Sequence, residues 1–254
     1  MEQIIAYVRK KTVFSVLEQS CPKIFDPNIL LMIIAYDIPW TVEIIKQLAS
    51  DKNLPAMKWA RENGCPWDVM VCSHAAWNGH FDCLIWAREN GCPWNKWVCR
   101  HAAENGHFDC LRWARQNGCD WDELVCRYAA ENGHLDCLIW ARENGCDWNE
   151  WVCRYAAMNG HINCLQWARE NGCPWDYWVC NYAAENGHLD CLIWAHENGC
   201  PWDVWVSLNA ARCGRLDCLQ WALENGCPWN KQYCLRVATD NNYQHIVDWI
   251  NQQN

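Results

Sequence analysis

The sequence predicts an all-α solenoid, eight short helix-turn-helix units stacked in a row with helical caps at both ends. Three observations carry that prediction. All 13 glycines fall into two series with the same 27-residue step, Gly64 to Gly226 and Gly79 to Gly214. The 21 cysteines and 21 tryptophans of the 254-residue chain fall mostly in columns of the same period. Each period holds two Asn-Gly-type stops, so each unit has two helices of about ten residues, too short to stand alone and obliged to stack on their neighbours.

Composition narrows the function. The formal charge of −9 argues against a general nucleic-acid or anionic-membrane binder. No apolar run approaches the ~18 residues of a membrane span. The opening MEQIIAYVRKKTVFSVLEQS is charged from the start and does not read as a signal peptide, which points to a cytoplasmic protein with reduced thiols.

Residues 1–37 lie outside the repeat and read as two cap helices, Glu2 to Gln19 and Pro27 to Tyr36. The units then run 38–64, 65–91, 92–118, 119–145, 146–172, 173–199, 200–226 and 227–254. At the fourth place of each unit after the first stands an N-capping Asp or Asn (Asp68, Asn95, Asp122, Asn149, Asp176, Asp203, Asn230), worth about 0.5–2 kcal/mol. In the first helix, small apolar places such as Val179, Cys180, Ala183 and Ala184 form the packing face, while Tyr177, Asn181 and Glu185 represent a second face that varies from unit to unit. The second helix repeats Cys191, Leu192, Trp194 and Ala195 with little change, and replacing a core copy of its Trp by Ala is expected to cost about 3–5 kcal/mol. In the last unit Asn241-Asn242 replaces the Gly-His turn, Trp249 is displaced by one place, and the polar Asn251 to Asn254 ends the chain, as suits a C-terminal cap.

The string YAAENGHLDCLIWARENG, from Tyr128 to Gly145, resembles the helix-turn-helix part of an ankyrin repeat. The resemblance implies an ankyrin-like solenoid that binds a protein. The unit is shorter than the family's length of about 33 residues, and the shortfall lies where that family projects a β-hairpin, so hairpin fingers should be shortened or absent. The Trp/Cys-rich units are similar to those of ankyrin-type proteins of large DNA viruses infecting amoebae, which would place the chain in host cytoplasm. Phe25 to Ile34 faintly resembles the opening of an F-box, a ligase-recruiting helical motif, over residues 24–36.

Each chemical reading has a plainer rival. The His-x-x-Cys pairs, such as His80 with Cys83, put two ligands on one helical face, so a metal-binding Cys/His ladder is conceivable. The cysteines nevertheless occupy places where a small buried hydrophobe serves equally, so no metal or cofactor is expected. No phosphate loop, carboxylate pair or unique nucleophile motif suggests an enzyme. Trp97, Trp151, Trp178 and Trp205 stand four residues before His101, Tyr155, Tyr182 and Asn209, forming a stripe that is either packing between first helices or an anchor surface. Arginines beside aromatics can stack on bases, but Glu104, Glu131 and Glu185 lie one turn beyond Arg100, Arg127 and Asn181 and would neutralise the arginines as i,i+4 pairs.

The expected role is therefore a non-catalytic, monomeric scaffold that binds a protein partner along the variable face of the first helices. The candidate contact residues are Trp77, Lys96, Trp97, Arg100, Glu104, Glu123, Arg127, Glu131, Glu150, Trp151, Arg154, Met158, Tyr177, Trp178, Glu185, Trp205 and Arg212. Trp77 is the favoured anchor, since its place is mostly charged elsewhere. The alternative is a substrate adaptor whose N-terminal segment recruits ubiquitin-ligase subunits.

Overall fold

The structure, a computed structural model, describes residues 41–253. The expected cap over residues 1–37, the segment 24–36 and Trp40 lie outside them. The described residues contain sixteen α-helices and no strand. The first helices of successive pairs are α1 (Val42–Ser50), α3 (Val69–Trp77), α5 (Trp97–Glu104), α7 (Leu124–Glu131), α9 (Trp151–Met158), α11 (Trp178–Asn186), α13 (Val204–Arg212) and α15 (Lys231–Asp240). The second helices are α2 (Leu54–Glu62), α4 (Phe81–Glu89), α6 (Phe108–Gln116), α8 (Leu135–Glu143), α10 (Ile162–Glu170), α12 (Leu189–Glu197), α14 (Leu216–Glu224) and α16 (Gln244–Gln252).

Local chemistry sets the helix ends. Asp68, Asn95, Asp122, Asn149, Asp176 and Asp203 each accept a bond from the backbone N–H two residues on, at 2.9–3.3 Å, and Asn230 accepts from Tyr233 at 2.9 Å. Except at Gly214, which follows Cys213, the Asn before each helix-ending glycine turns its side chain back onto the carbonyl four residues earlier, as Asn144 does to Trp140 at 2.8 Å, so a last-turn acceptor is not left bare. The glycine between the two helices of a unit has a second reason to lack a side chain. Gly133 has φ +77°, and a Cβ there would lie 2.6 Å from the His161 ring of the next unit. In the last unit Asn242 takes over the left-handed conformation at φ 61°, a substitution asparagine tolerates.

Successive first helices lie against one another far more closely than successive second helices do. Their facing residues explain why: Val125, Cys126, Ala129 and Ala130 of α7 and Val152, Cys153, Ala156 and Ala157 of α9 are all fully buried and small, so backbones can approach. The tighter row must occupy the inside of the array's curve, which leaves the variable places of the first helices facing the concavity.

The second helices supply Leu84, Leu111, Leu138, Leu165, Leu192 and Leu219 to the core, all fully buried. Their tryptophans are only partly buried, contrary to the core position expected for them, and they form an outer layer against the core. There Trp67, Trp94, Trp121, Trp148 and Trp175 each meet the second-helix tryptophan of their own unit edge-on, with centroids 5.7–5.8 Å apart. Each also receives an arginine from the preceding unit on its face, Arg115 over Trp121 at 4.5 Å for example. The loop tryptophans thus cover the junctions between units, each such cation–π contact adding about 0.5–1 kcal/mol.

Cysteine binds the units together in another way. The thiols of Cys65, Cys92, Cys119, Cys146, Cys173, Cys200 and Cys227 point at the carbonyl of the residue that opens the preceding first helix, at 3.2–3.5 Å. Of the 20 described cysteines, all but Cys213 are buried.

Candidate protein-binding face

The large hydrophobic side chains that remain exposed are Trp77, Trp97, Trp151, Tyr177, Val204, Trp205 and Tyr233, at 37–49%. Every one of them belongs to a first helix or to the residue that opens one. The second-helix side of the described array contributes none. Exposure of this kind, gathered on one side of a molecule, marks an interaction surface.

Within this face the aromatic rings pack mainly along their own helices. Trp97 lies 5.4 Å from His101, Trp151 5.6 Å from Tyr155, and Trp178 stacks on Tyr182 at 5.3 Å. Tyr177 adds its ring to Trp178 at 5.2 Å. Trp77 reaches across a junction, edge-on to His101 at 4.9 Å. Of the stripe, Trp97, Trp151 and Trp178 thus pack along their own helices, where one reading expects packing between first helices, and Trp97, Trp151 and Trp205 remain exposed. Sequence reasoning passed over Tyr233. Tyr233 carried a signal, since it stands where earlier units place a buried Val such as Val206.

The arginines behave differently from expectation. Arg100 is only 6% exposed, and it does not pair with Glu104. Its guanidinium bonds Asp122, the cap of the next unit, with Nε at 2.9 Å, and it lies over the Trp97 ring at 4.6 Å. Arg154 repeats this with Asp176 and Trp151, and also lies 3.8 Å from Glu150. The physical reason is the 22-residue offset: the ninth place of one unit faces the cap of the next, and a carboxylate there outcompetes a solvated Glu on the same helix. Where the cap is Asn149 instead, Arg127 has no such carboxylate and leans on Glu131 at 3.9 Å, the expected i,i+4 pair. Asn181, at the same place, is fully buried with neither amide atom bonded. The ninth place is thus a junction between units, and Arg100 is withdrawn from the open face.

The remaining candidates stay at the surface. Lys96, Glu123 and Arg212 are exposed, and Glu104, Glu131, Glu150, Met158, Trp178 and Glu185 are half-buried. Lys96 joins the Asp122 cluster at 3.1 Å, and Arg212 bonds Glu185 at 3.1 Å across one unit. Burial would raise the Asp122 carboxyl, but the Arg100 and Lys96 hydrogen bonds prevail and hold it below the usual range. Glu104 moves the other way, raised by burial and by the nearby Glu131.

The histidines after the glycine turns are engaged with backbone of the preceding unit. His80 Nδ1 lies 2.8 Å from the Ala49 carbonyl and His107 Nε2 3.0 Å from that of Trp77. Each contact commits one ring nitrogen to a carbonyl. Among the described residues no group of three His, Cys, Asp or Glu side chains converges as a metal site would require. None of the described helices is long and apolar enough to cross a membrane.

Comparison with known proteins agrees with this geometry. Residues 99–142, 126–169 and 153–196 each match the family model described as ankyrin repeats in many copies. The crystal structure of the human ASB11 ankyrin repeat domain superposes with a TM-score of 0.58 at 16% identity, covering 70% of this chain and 96% of that one. No curated protein is detectably similar in sequence. Ankyrin repeats are in general non-catalytic scaffolds for protein–protein interaction. Residues 99–196 of this chain thus match ankyrin repeats, and the described residues have the fold of an ankyrin solenoid.

Proposed function

We propose that the chain is a scaffold that holds one protein partner in the concavity lined by its first helices. The observation that carries this reading is the confinement of the exposed large hydrophobics to that side. Trp77, Trp97, Trp151, Tyr177, Trp178 and Trp205 would anchor the partner, since a few aromatic contacts dominate most interfaces. Glu104, Glu123, Glu131, Glu150, Met158, Glu185, Lys96 and Arg212 would set its register by differing from unit to unit, with Arg127 and Arg154 contributing their partly exposed edges. Arg100 contributes by fixing Trp97 from beneath.

The adaptor reading rests on the sequence of residues 24–36 alone. Affinity purification of the tagged full chain from cells that express it, beside a form lacking residues 1–37, separates the two. A partner retained by both forms is the expected result. Ubiquitin-ligase subunits lost only from the shorter form would establish the adaptor role, and the absence of any specific partner would overturn both.

A further inference from the structure

The array has a recurrent way of seating a guanidinium. Arg100 lies between the Trp97 ring, at 4.6 Å, and the Asp122 carboxylate. Arg154 lies between the Trp151 ring, at 4.5 Å, and Asp176. Arg127 lies 5.3 Å from the Tyr155 ring and 3.9 Å from Glu131. An aromatic face and a carboxylate are thus repeatedly joined by an arginine of the chain itself.

At one position both halves stand without the cation. Trp77 is 42% exposed, and among the described residues no Lys or Arg lies over its ring. Its helix carries Ser73 where later units carry Arg100, Arg127 and Arg154. Glu104 occupies the same place one unit further on. Glu185 and Arg212, also one unit apart at that place, bond at 3.1 Å, so this register brings such side chains together. The Trp77 contact with His101, which lies one turn before Glu104 on α5, fixes the indole on that side. Among the described residues no Lys or Arg forms an ion pair with Glu104; Arg127, which pairs with Glu131 instead, is near enough to lower its carboxyl, but burial and the neighbouring Glu131 raise it by more. Burial holds His101 below its usual range.

We propose that Trp77 and Glu104 receive an arginine side chain from the partner polypeptide, its guanidinium over the indole and against the carboxylate. The inference rests on the concave face being the binding surface. Arginine is favoured over lysine because its planar fork stacks on a ring and bonds a carboxylate at once.

The test uses the full chain as bait for a phage-displayed random dodecapeptide library, in parallel with Trp77→Ala, Glu104→Gln and, as a control on the second-helix side, Arg112→Ala. Circular dichroism first establishes that each variant keeps its helix content. The wild type is expected to enrich peptides with a shared arginine. A synthetic copy of such a peptide should bind Glu104→Gln about tenfold more weakly, and its Arg→Lys form should lose several-fold on the wild type. Arg112→Ala should select the same arginine. Enriched peptides without a common arginine, or unchanged binding to Glu104→Gln, would overturn the inference while leaving the scaffold reading intact. Failure of every bait to enrich any peptide would count against both.

Discussion

Gly133 and Gly145 separate two demands that both select glycine. Each has positive φ, +77° and +84°, but only Gly133 is closed over by a ring of the next unit, whereas a Cβ on Gly145 would meet nothing within 4 Å. Gly145→Ala should cost the left-handed penalty of about 1–2 kcal/mol. Gly133→Ala should cost about 2 kcal/mol more, because His161 must move; urea unfolding of the two variants checks the order. The cap residues give an opposite prediction. Asn149→Asp should offer Arg127 the carboxylate that Arg100 and Arg154 already have, and raise stability by about 1 kcal/mol in the same assay. Protonation adds a third. Burial holds His74, His101, His107 and His161 below the ordinary histidine range. Their neutral forms therefore favour the fold, and the unfolded chain takes up protons first as pH falls through about 6.5. The urea midpoint should drop between pH 7.5 and pH 5.5, and a flat or rising midpoint would contradict the assignment. Caps, glycines and buried Ala and Cys were legible in the sequence because their causes are local or strictly periodic. The fate of Arg100 was not, because its partner Asp122 is a neighbour only once two units are stacked.

A single helix pair here has little to bury by itself. Its stability comes from the next pair, through Ala and Val packing, the loop tryptophans and the cysteine thiols. All the described thiols except that of Cys213 are buried out of reach of a reagent, and burial also pushes Cys65 up to about 11 and Cys110 up to about 12. Native protein treated with iodoacetamide should therefore modify Cys213 first among the described cysteines, as mass spectrometry would show, and the remaining described thiols only once urea opens the array. Rapid labelling of Cys119 or Cys146 in the native state would mean that the junctions between pairs open far more readily than their packing implies. At this scale the sequence indicated which residues are apolar but not how deeply each lies. The second-helix tryptophans read as core and proved to be an outer layer, because Leu and Cys already fill the space beneath them. Trp140→Ala should accordingly fall toward the lower end of the range expected for a core indole, about 3 kcal/mol.

Across the whole array, one asymmetry organises the molecule: the first helices are drawn close by small residues, and the second helices are held apart by indoles. That places the least uniform positions of the repeat on the concave side, together with the exposed aromatic side chains. A periodic core with a non-periodic concave face is the arrangement expected of a surface that recognises an extended partner. The direct test is capture of interacting protein by the tagged full chain, by a Trp77→Ala/Trp151→Ala/Trp205→Ala variant, and by Arg112→Ala, which alters an exposed side chain on a second helix. The account predicts that the triple variant, with unchanged helix content, loses its partner by at least about tenfold, while Arg112→Ala retains it. Retention by the triple variant with loss in Arg112→Ala would place binding on the opposite side of the array and contradict the account.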